Sequence, residues 1–115
     1  MIDFDKDTAF SQRVLNALTA RSKMTLHNIA NQDTDGFKRY EVRFEDLLAE
    51  AEEKGKGLDE AQFEIVRDDS GEPGQNNVVL MDELALLGKT ALLHDVMTRR
   101  LGGYAKFINK AIFGR

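Results

Sequence analysis

The 115-residue chain contains no cysteine and no tryptophan, and Pro73 is its only proline. Without cysteine it can form neither a disulfide framework nor a thiolate metal site. The first ten residues are acidic and lack an apolar run, so we expect no cleavable secretory signal peptide. No segment approaches the roughly 18 uninterrupted apolar residues that cross a membrane, so we expect no membrane span.

Signatures of catalysis and of cofactor binding are also missing. His27 and His94 have no histidine or cysteine partner at a metal-ligand spacing, so we interpret both as surface or packing residues. The segment "LLGKT" at 86–90 ends like a phosphate-binding loop, but Glu83 occupies the position of the first glycine and the surrounding pattern is helical. We therefore predict a protein that is not an enzyme and has no catalytic residues, no cofactor and no metal.

A calcium site is the alternative suggested by "NQDTDG" at 31–36, which begins like an EF-hand loop. Counting forward, the apolar position of such a loop holds Lys38 and its final carboxylate position holds Val42. The better interpretation is a helix end followed by a turn, because Asn, Asp and Gly favour these conformations. We expect Gly36 to have a positive φ.

Charge is distributed unevenly along the chain. Residues 41–72 have a net charge of −8, whereas residues 89–115 have a net charge of +5. Such asymmetry suits charged contacts between neighbouring subunits, or a solvated loop. The basic end lacks the interleaved stacking motifs of a nucleic-acid-binding protein, so we expect no nucleic-acid partner.

Hydrophobic periodicity predicts two long helices, over 8–31 and 79–112. The intervening segment, 37–77, reads as a short alternating strand, a helical run and a second strand in "AQFEIVRD", followed by a loop. Because it is acidic and has few large apolar residues, a weakly ordered insert and a compact subdomain both fit it. The predicted fold class is mainly α, with the long N- and C-terminal helices pairing as an antiparallel coiled-coil-like hairpin and a short irregular, β-containing middle segment. We expect one domain, 1–115.

The C-terminal helix is apolar on two sides, and a hairpin can cover only one of them. One predicted face holds Leu84, Leu87 and Ala91, and the opposite face holds Leu86, Leu93 and Met97. Soluble monomers rarely leave such a face in water, so we expect other subunits to cover it. The residues predicted to pack helices, within the chain or between chains, are Phe10, Val14, Leu18, Leu84, Leu86, Leu87, Ala91, Leu93, Met97, Leu101, Tyr104, Ile108 and Ile112.

The segment "NIANQDTDGFK" at 28–38 resembles the N-terminal signature of bacterial flagellar rod and hook proteins, commonly NNIANxxTPGYK. Asp35 stands where that signature has proline, and Phe37 stands where it has tyrosine. The residues that match the signature are Asn28, Ile29, Ala30, Asn31, Thr34, Gly36 and Lys38.

The C-terminal part is similar to that of the FlgB family of proximal rod proteins, which has "GNNV", then acidic residues, a long helix and a terminal "AIxGR". The matching residues are Asn76, Asn77, Val78, Glu83, Leu84, Ala85, Ala91, Ala111, Ile112, Gly114 and Arg115. Together the two resemblances cover both helical ends of the chain.

The resemblance implies a structural subunit of the flagellar basal-body proximal rod, and hence a part of the motility apparatus. Its partners would be other rod proteins, copies of itself and the export-apparatus base. Its location would be the periplasmic rod, reached from the cytoplasm through the flagellar type III export apparatus without a cleavable signal peptide. Two alternatives stay open at this point: the related rod family FlgC, which shares the N-terminal motif and a similar last helix, and a soluble helical adaptor that binds a partner helix.

Overall fold

The computed structural model describes residues 4–55, 57 and 62–114, with the side chains at 4, 104, 105, 107 and 108 outside that description. Its elements, in chain order, are α1 (Phe4–Ala30), β1 (Tyr40–Arg43), α2 (Glu45–Glu53), β2 (Glu64–Arg67) and α3 (Leu80–Phe113). The predicted fold class is confirmed: two long terminal helices flank, in sequence, a short middle segment that contains a small antiparallel sheet.

Helix α1 begins earlier than the sequence pattern suggested. Its 27 residues span about 40 Å. Asp5 and Asp7 lie in the first turn, where their negative charges interact favourably with the positive end of the helix dipole. The acidic N-terminal segment thus extends the helix to Phe4 rather than to residue 8.

The two long helices pack through a seven-residue repeat. Both bury side chains at that spacing, namely Ser11, Leu18 and Thr25 in α1 and Glu83 and Thr90 in α3. A seven-residue repeat keeps one seam of each helix facing its partner, as in a coiled coil. Because most of these side chains are small, the two helix backbones can approach closely. Asn28, near the end of α1, contacts Glu83, near the start of α3, so the helices run antiparallel.

The middle segment packs against α1 through a small apolar cluster. Buried Ala17 and Phe44 form its centre, and Val14, Leu48 and Phe63 surround them. Strands β1 and β2 pair in antiparallel register from Tyr40↔Arg67 to Arg43↔Glu64. The alternating pattern after Phe37 and the "EIVR" segment therefore form the two strands that their sequences indicated.

The molecule is long and exposes much surface for its size. Its radius of gyration is 17.7 Å, against about 13 Å for a compact domain of this length. Its accessible surface is 7973 Å², about a quarter more than the roughly 6,300 Å² expected for a monomer of its mass. None of the helices in the described residues is both long and apolar enough to cross a membrane.

The division of α3 into two apolar faces needs a correction. Neither predicted face packs as a unit: Leu86, Leu87 and Met97 are partly buried, whereas Leu84 and Ala91 are exposed with Leu93. The physical reason is the seven-residue seam, which runs through Glu83 and Thr90 and so lies between the two predicted faces. The polar residues of this seam carry no hydrophobic signal.

Candidate functional site

The turn after α1 is held by its own backbone. Successive N–H groups donate to carbonyls three residues back, from Thr34 to Asn31 at 3.0 Å and from Phe37 to Thr34 at 3.2 Å. Gly36 has φ +71°, as expected from the sequence. Asn31 Nδ2 donates to the His27 carbonyl at 2.9 Å, which caps a helix-end acceptor. The turn therefore closes α1 and directs the chain into β1.

Asn28 joins the end of α1 to the start of β1. Its fully buried amide donates through Nδ2 to the Tyr40 carbonyl at 2.8 Å and accepts through Oδ1 from the Tyr40 N–H at 2.8 Å. Both hydrogen bonds go to one residue, so the Asn28 side chain pairs with Tyr40 as a neighbouring strand would. Nδ2 also lies 3.3 Å from Glu83 Oε2 in α3.

Glu83 is a buried carboxylate in the first turn of α3. It is one of the largest fully buried side chains, and its Oε1 accepts a hydrogen bond from Arg39 Nε at 2.6 Å. Arg39 also donates through Nη1 to Asp68 Oδ2 at 3.1 Å. Burial alone would lower the pKa of Arg39, but the hydrogen bonds to these two carboxylates leave that pKa raised. The guanidinium thus stays charged and balances the buried carboxylate.

Asn76 and Asn77, from the second family motif, bind the first motif directly. Asn77 Oδ1 accepts from the Arg39 N–H at 2.7 Å, and its Nδ2 donates to the Asp68 carbonyl at 2.7 Å. Asn76 Nδ2 donates to the carbonyls of Asn31 and Thr34, each at 2.8 Å. The two motifs, separated by about 40 residues in sequence, thus form one hydrogen-bonded unit.

We call this unit the motif junction and define it as Asn28, Arg39, Asn76, Asn77 and Glu83. Lys38 extends it, because Nζ donates to the carbonyls of Ser70 at 3.1 Å and Glu72 at 2.8 Å and so fixes the loop after β2. A cluster of rings covers one side, with centroids 5.6 Å apart for His27 and Phe37 and 6.2 Å apart for Phe37 and Tyr40. Together these contacts hold α1, β1 and the start of α3 at fixed positions.

The remaining motif residues lie around the junction. Ile29 is partly buried, Ala30 is exposed and Thr34 donates its hydroxyl to Asn31 Oδ1 at 3.1 Å. Sequence reasoning did not single out Arg39 or Asp68. The position of Arg39, directly after the motif lysine, was the available signal; nothing in the sequence indicated which acids it would meet.

On its other side, α3 exposes apolar side chains. We call this side the outer face and define it as Met81, Leu84, Leu92, Leu93 and Val96, which are exposed by 72%, 46%, 65%, 41% and 52%. These values exceed what a covered helix face would show. Met81 and Leu84 lie about two turns before Leu92, Leu93 and Val96, and the exposed small residues Ala85 and Gly88 lie between the two groups. The outer face therefore exposes several large apolar side chains along one side of α3, as surfaces that bind partners do.

The structure places the predicted packing residues in three groups. Partly or fully buried against neighbouring elements are Phe10, Val14, Leu18, Leu86, Leu87, Met97 and Leu101, while Leu84, Ala91, Leu93 and Ile112 are exposed. Tyr104 and Ile108 belong to α3, but their side chains lie outside the described residues. Helix α3 continues without a break through Gly102 and Gly103.

Two shallow clefts flank the Arg39–Glu83 pair. One, of about 190 Å³, lies between α1, β1 and Leu86; the other, of about 410 Å³, lies beside Asp68 and Asp82. Among the residues that the structure describes, no group of three or more His, Asp or Glu side chains is placed to hold a metal ion.

Comparison with known proteins gives the family. No family model matches the chain. The flagellar basal body rod protein FlgB of Borreliella burgdorferi is 30% identical over 131 aligned positions, which cover 95% of this chain and 97% of that protein. The chain belongs to the FlgB family of flagellar basal body rod proteins. The flagellar basal body rod protein FlgB of Aeromonas hydrophila is 40% identical over 58 residues, covering 50% of this chain and 44% of that protein.

Within this FlgB family member, the motif junction brings together residues of both motifs that suggested the family. Its side chains bind one another and the backbone, with the charge of Glu83 balanced by Arg39. Such an arrangement can fasten three segments of chain together and set the direction in which the outer face points.

Proposed function

We propose that this chain is a structural subunit of the proximal rod of the bacterial flagellum and that it assembles by helix packing. Family membership supports the rod role. The single observation that carries the assembly mechanism is the outer face of α3, whose large apolar side chains are 41–72% exposed in the part of the chain that the structure describes. Neighbouring subunits would supply that cover.

The energetics favour assembly over a solitary monomer. Full burial of a Leu, Val or Met side chain contributes about 1.5–3 kcal/mol. Ordering of the contact and loss of free rotation offset part of this gain. Five such side chains on one helix face nevertheless provide a driving force that grows with each neighbour, as a polymerising subunit requires.

The motif junction would act as the fixed point of the assembling unit. Arg39, Glu83 and Asn28 lock the crossing of α1 and α3 at one end of the hairpin. A defined crossing gives every copy the same outer face, and identical contacts repeated along an axis generate a helical array. In this proposal the motif residues fix the crossing of α1 and α3, and the outer face makes the contact with neighbouring subunits.

The proposed partners are other rod proteins, further copies of this chain and the base of the export apparatus. The proposed location is the periplasmic rod of the basal body, reached through the flagellar export apparatus rather than by a cleaved signal peptide. An enzymatic role is not part of the proposal, since the junction groups are bound to each other rather than presented to a substrate.

The test is to locate an epitope-tagged chain in purified basal bodies by immunogold electron microscopy. We expect label on the rod, between the membrane ring and the distal rod. Sedimentation of the purified chain with rod proteins gives a second readout, because a rod subunit forms growing assemblies whereas an adaptor stops at a closed complex. Label absent from basal bodies of motile cells would exclude the rod role.

A further inference from the structure

The second half of α3, from Met97 onwards, carries charge of one sign only. No acidic residue follows Asp95 in the chain, whereas four basic residues do before the helix ends, namely Arg99, Arg100, Lys106 and Lys110. We call 99–110 the basic segment. Lys106 and Lys110 are exposed and form no ion pair with any other residue that the structure describes.

The basic segment continues the outer face. Leu92, Arg99 and Lys106 are spaced seven residues apart. Lys110 lies fourteen residues, or two such steps, after Val96. Residues seven apart on a helix lie on the same side. The surface that is apolar near the middle of α3 therefore becomes cationic towards its C-terminal end, without turning to another side of the helix.

Helix α2 has the opposite character. Its first two acids are paired, Glu45 with Arg21 at 2.7 Å and Asp46 with Arg43 at 3.7 Å. Its last three acids, Glu50, Glu52 and Glu53, are exposed and form no ion pair with the described residues. We call these three residues the acidic tip. The helix buries none of its nine residues, so most of its surface is open to a partner.

The acidic tip and the basic segment lie at similar heights along the hairpin. Asn28 is level with Glu83 because their side chains touch. Fourteen residues back along α1 is Val14, and fourteen residues forward along α3 is Met97, so these two positions are also level. Leu48 of α2 packs in the Val14 cluster. Because Glu45, at the start of α2, pairs with Arg21, α2 runs from the level of Arg21 towards the start of α1. The acidic tip therefore lies beyond Val14, on the side where the basic segment continues past Met97.

We propose that α2 of one copy binds the outer side of α3 of a second copy, with the acidic tip against the basic segment. Charge complementarity selects this occupant over a basic or neutral helix, and the equal heights allow two copies to stand side by side without an axial shift. The contact joins two different surfaces, so it does not close as a dimer but adds further copies laterally. The inference rests on the proposed rod function and specifies its lateral contact.

Cross-linking within assembled basal bodies tests the contact, and the cysteine-free sequence makes the labelling specific. A strain would carry two differently tagged copies, one with Glu53→Cys and one with Lys106→Cys, and receive a short bis-maleimide. We expect a covalent dimer that contains both tags. The matched control replaces Lys106→Cys by Lys89→Cys, an exposed lysine about 25 Å nearer the start of the same helix. Equal yields from both pairs, or no mixed dimer from either, would overturn the proposal.

Charge reversal gives an independent readout. Lys106→Glu with Lys110→Glu, or Glu50→Lys with Glu53→Lys, should each lower incorporation into basal bodies at least about tenfold, because like charges then face each other. Combining all four substitutions in one chain should restore incorporation. A combined variant as defective as its parents would count against the contact. Asp33→Lys with Asp35→Lys serves as the control, because it makes two charge reversals at the opposite end of the hairpin.

The two proposals fail in different ways. If the tagged wild-type chain is in basal bodies but the Glu53 and Lys106 positions do not cross-link, the lateral contact is wrong and the rod function stands. If the chain is absent from basal bodies, the rod function is wrong. The purified variants then decide the contact separately: each reversed double variant alone sets like charges against each other, whereas in an equimolar mixture opposite charges meet at both kinds of contact, so the mixture should form larger assemblies in sedimentation than either variant alone.

Discussion

At Glu83, α3 buries a carboxylate against Arg39, whereas one residue later Leu84 leaves an apolar side chain in water. The motif junction and the outer face thus reverse the usual placement of polar and apolar groups within a single helical turn. Each reversal costs free energy in the isolated chain, because buried charges need partners and exposed apolar surface orders water.

The difference shows how the two regions divide their tasks. Hydrogen bonds such as those of Asn28 to Tyr40 are directional, so the junction admits one geometry. Burial of apolar surface is non-directional and gives strength without fixing angles. A subunit that must present the same surface in every copy benefits from a rigid polar junction next to an adhesive apolar face.

The largest expected effect comes from breaking the junction. Glu83→Ala leaves the Arg39 guanidinium and the Asn28 amide without their shared partner in a buried site. Removing one member of a buried ion pair typically costs about 3–5 kcal/mol. We expect a loss of that size in the free energy of unfolding, measured by urea denaturation followed by circular dichroism.

The matched control is the preceding residue. Asp82 is exposed, so Asp82→Ala should change the free energy of unfolding by no more than about 0.5 kcal/mol. Equal stabilities for the Glu83→Ala and Asp82→Ala variants would show that the junction is not what holds the hairpin closed.

A second pair of substitutions should distinguish the role of the outer face from that of the buried side of α3. Leu87 is partly buried and Leu93 is exposed on the same helix. Leu87→Lys should lower the free energy of unfolding by about 1.5–3 kcal/mol, while Leu93→Lys should leave it nearly unchanged. Leu93→Lys should nevertheless abolish rod formation and swimming, because it places an unpaired charge in the intersubunit contact.

Two measurements are needed for this pair. Circular dichroism of the purified chains reports folding, and electron microscopy of basal bodies reports assembly. Normal rods in cells that carry Leu93→Lys would show that the outer face is not an intersubunit surface, even if the Leu87 variant behaves as expected.

Much of the fold could be predicted from sequence, because its signals are local. The apolar periodicity of the two long helices, the turn residues around Gly36 and the alternation in β1 each act over a few residues. These signals do not depend on which segment packs against which. The helix limits differ by a few residues, where Asp5 and Asp7 support an earlier start.

The pairing of faces could not be predicted, and the reason is chemical. Four of the five buried residues of the seam, namely Ser11, Thr25, Glu83 and Thr90, are polar and give no hydrophobic signal; only Leu18 does. Their burial depends on contacts made across the hairpin, such as that of Glu83 with Arg39, 44 residues earlier in the chain. Periodicity analysis therefore found the apolar sides of α3 but misjudged which of their residues face inwards.

A smaller effect is expected in the turn that leads into the junction. Gly36 has φ +71°, a conformation in which a β-carbon costs about 1–2 kcal/mol. Gly36→Val should lower the free energy of unfolding by that amount, and the backbone conformation rather than crowding is the cause, since an added β-carbon would lie 3.5 Å from the Gly74 carbonyl oxygen. Asp33→Ala, in the same turn but exposed, should stay within about 0.5 kcal/mol. Thermal denaturation of both variants makes the comparison, and equal midpoints would contradict the turn geometry.

The smallest expected effect is on the pH dependence of the free energy of unfolding. Hydrogen bonds from Ser70, together with the Arg39 guanidinium, lower the pKa of Asp68, and the hydrogen bonds from Arg21 lower the pKa of Glu45. A carboxyl group with a depressed folded-state pKa contributes stability that is present above its unfolded pKa, about 4, and is lost as the pH falls through the folded value. We therefore expect the free energy of unfolding to decline below about pH 4. Asp68→Asn, which cannot ionise, should reduce that decline by less than about 1 kcal/mol, because the site is partly exposed to solvent. Urea titrations of the two proteins at pH 7 and pH 3 give the difference, and an identical pH dependence would show that Asp68 does not strengthen the junction through its charge.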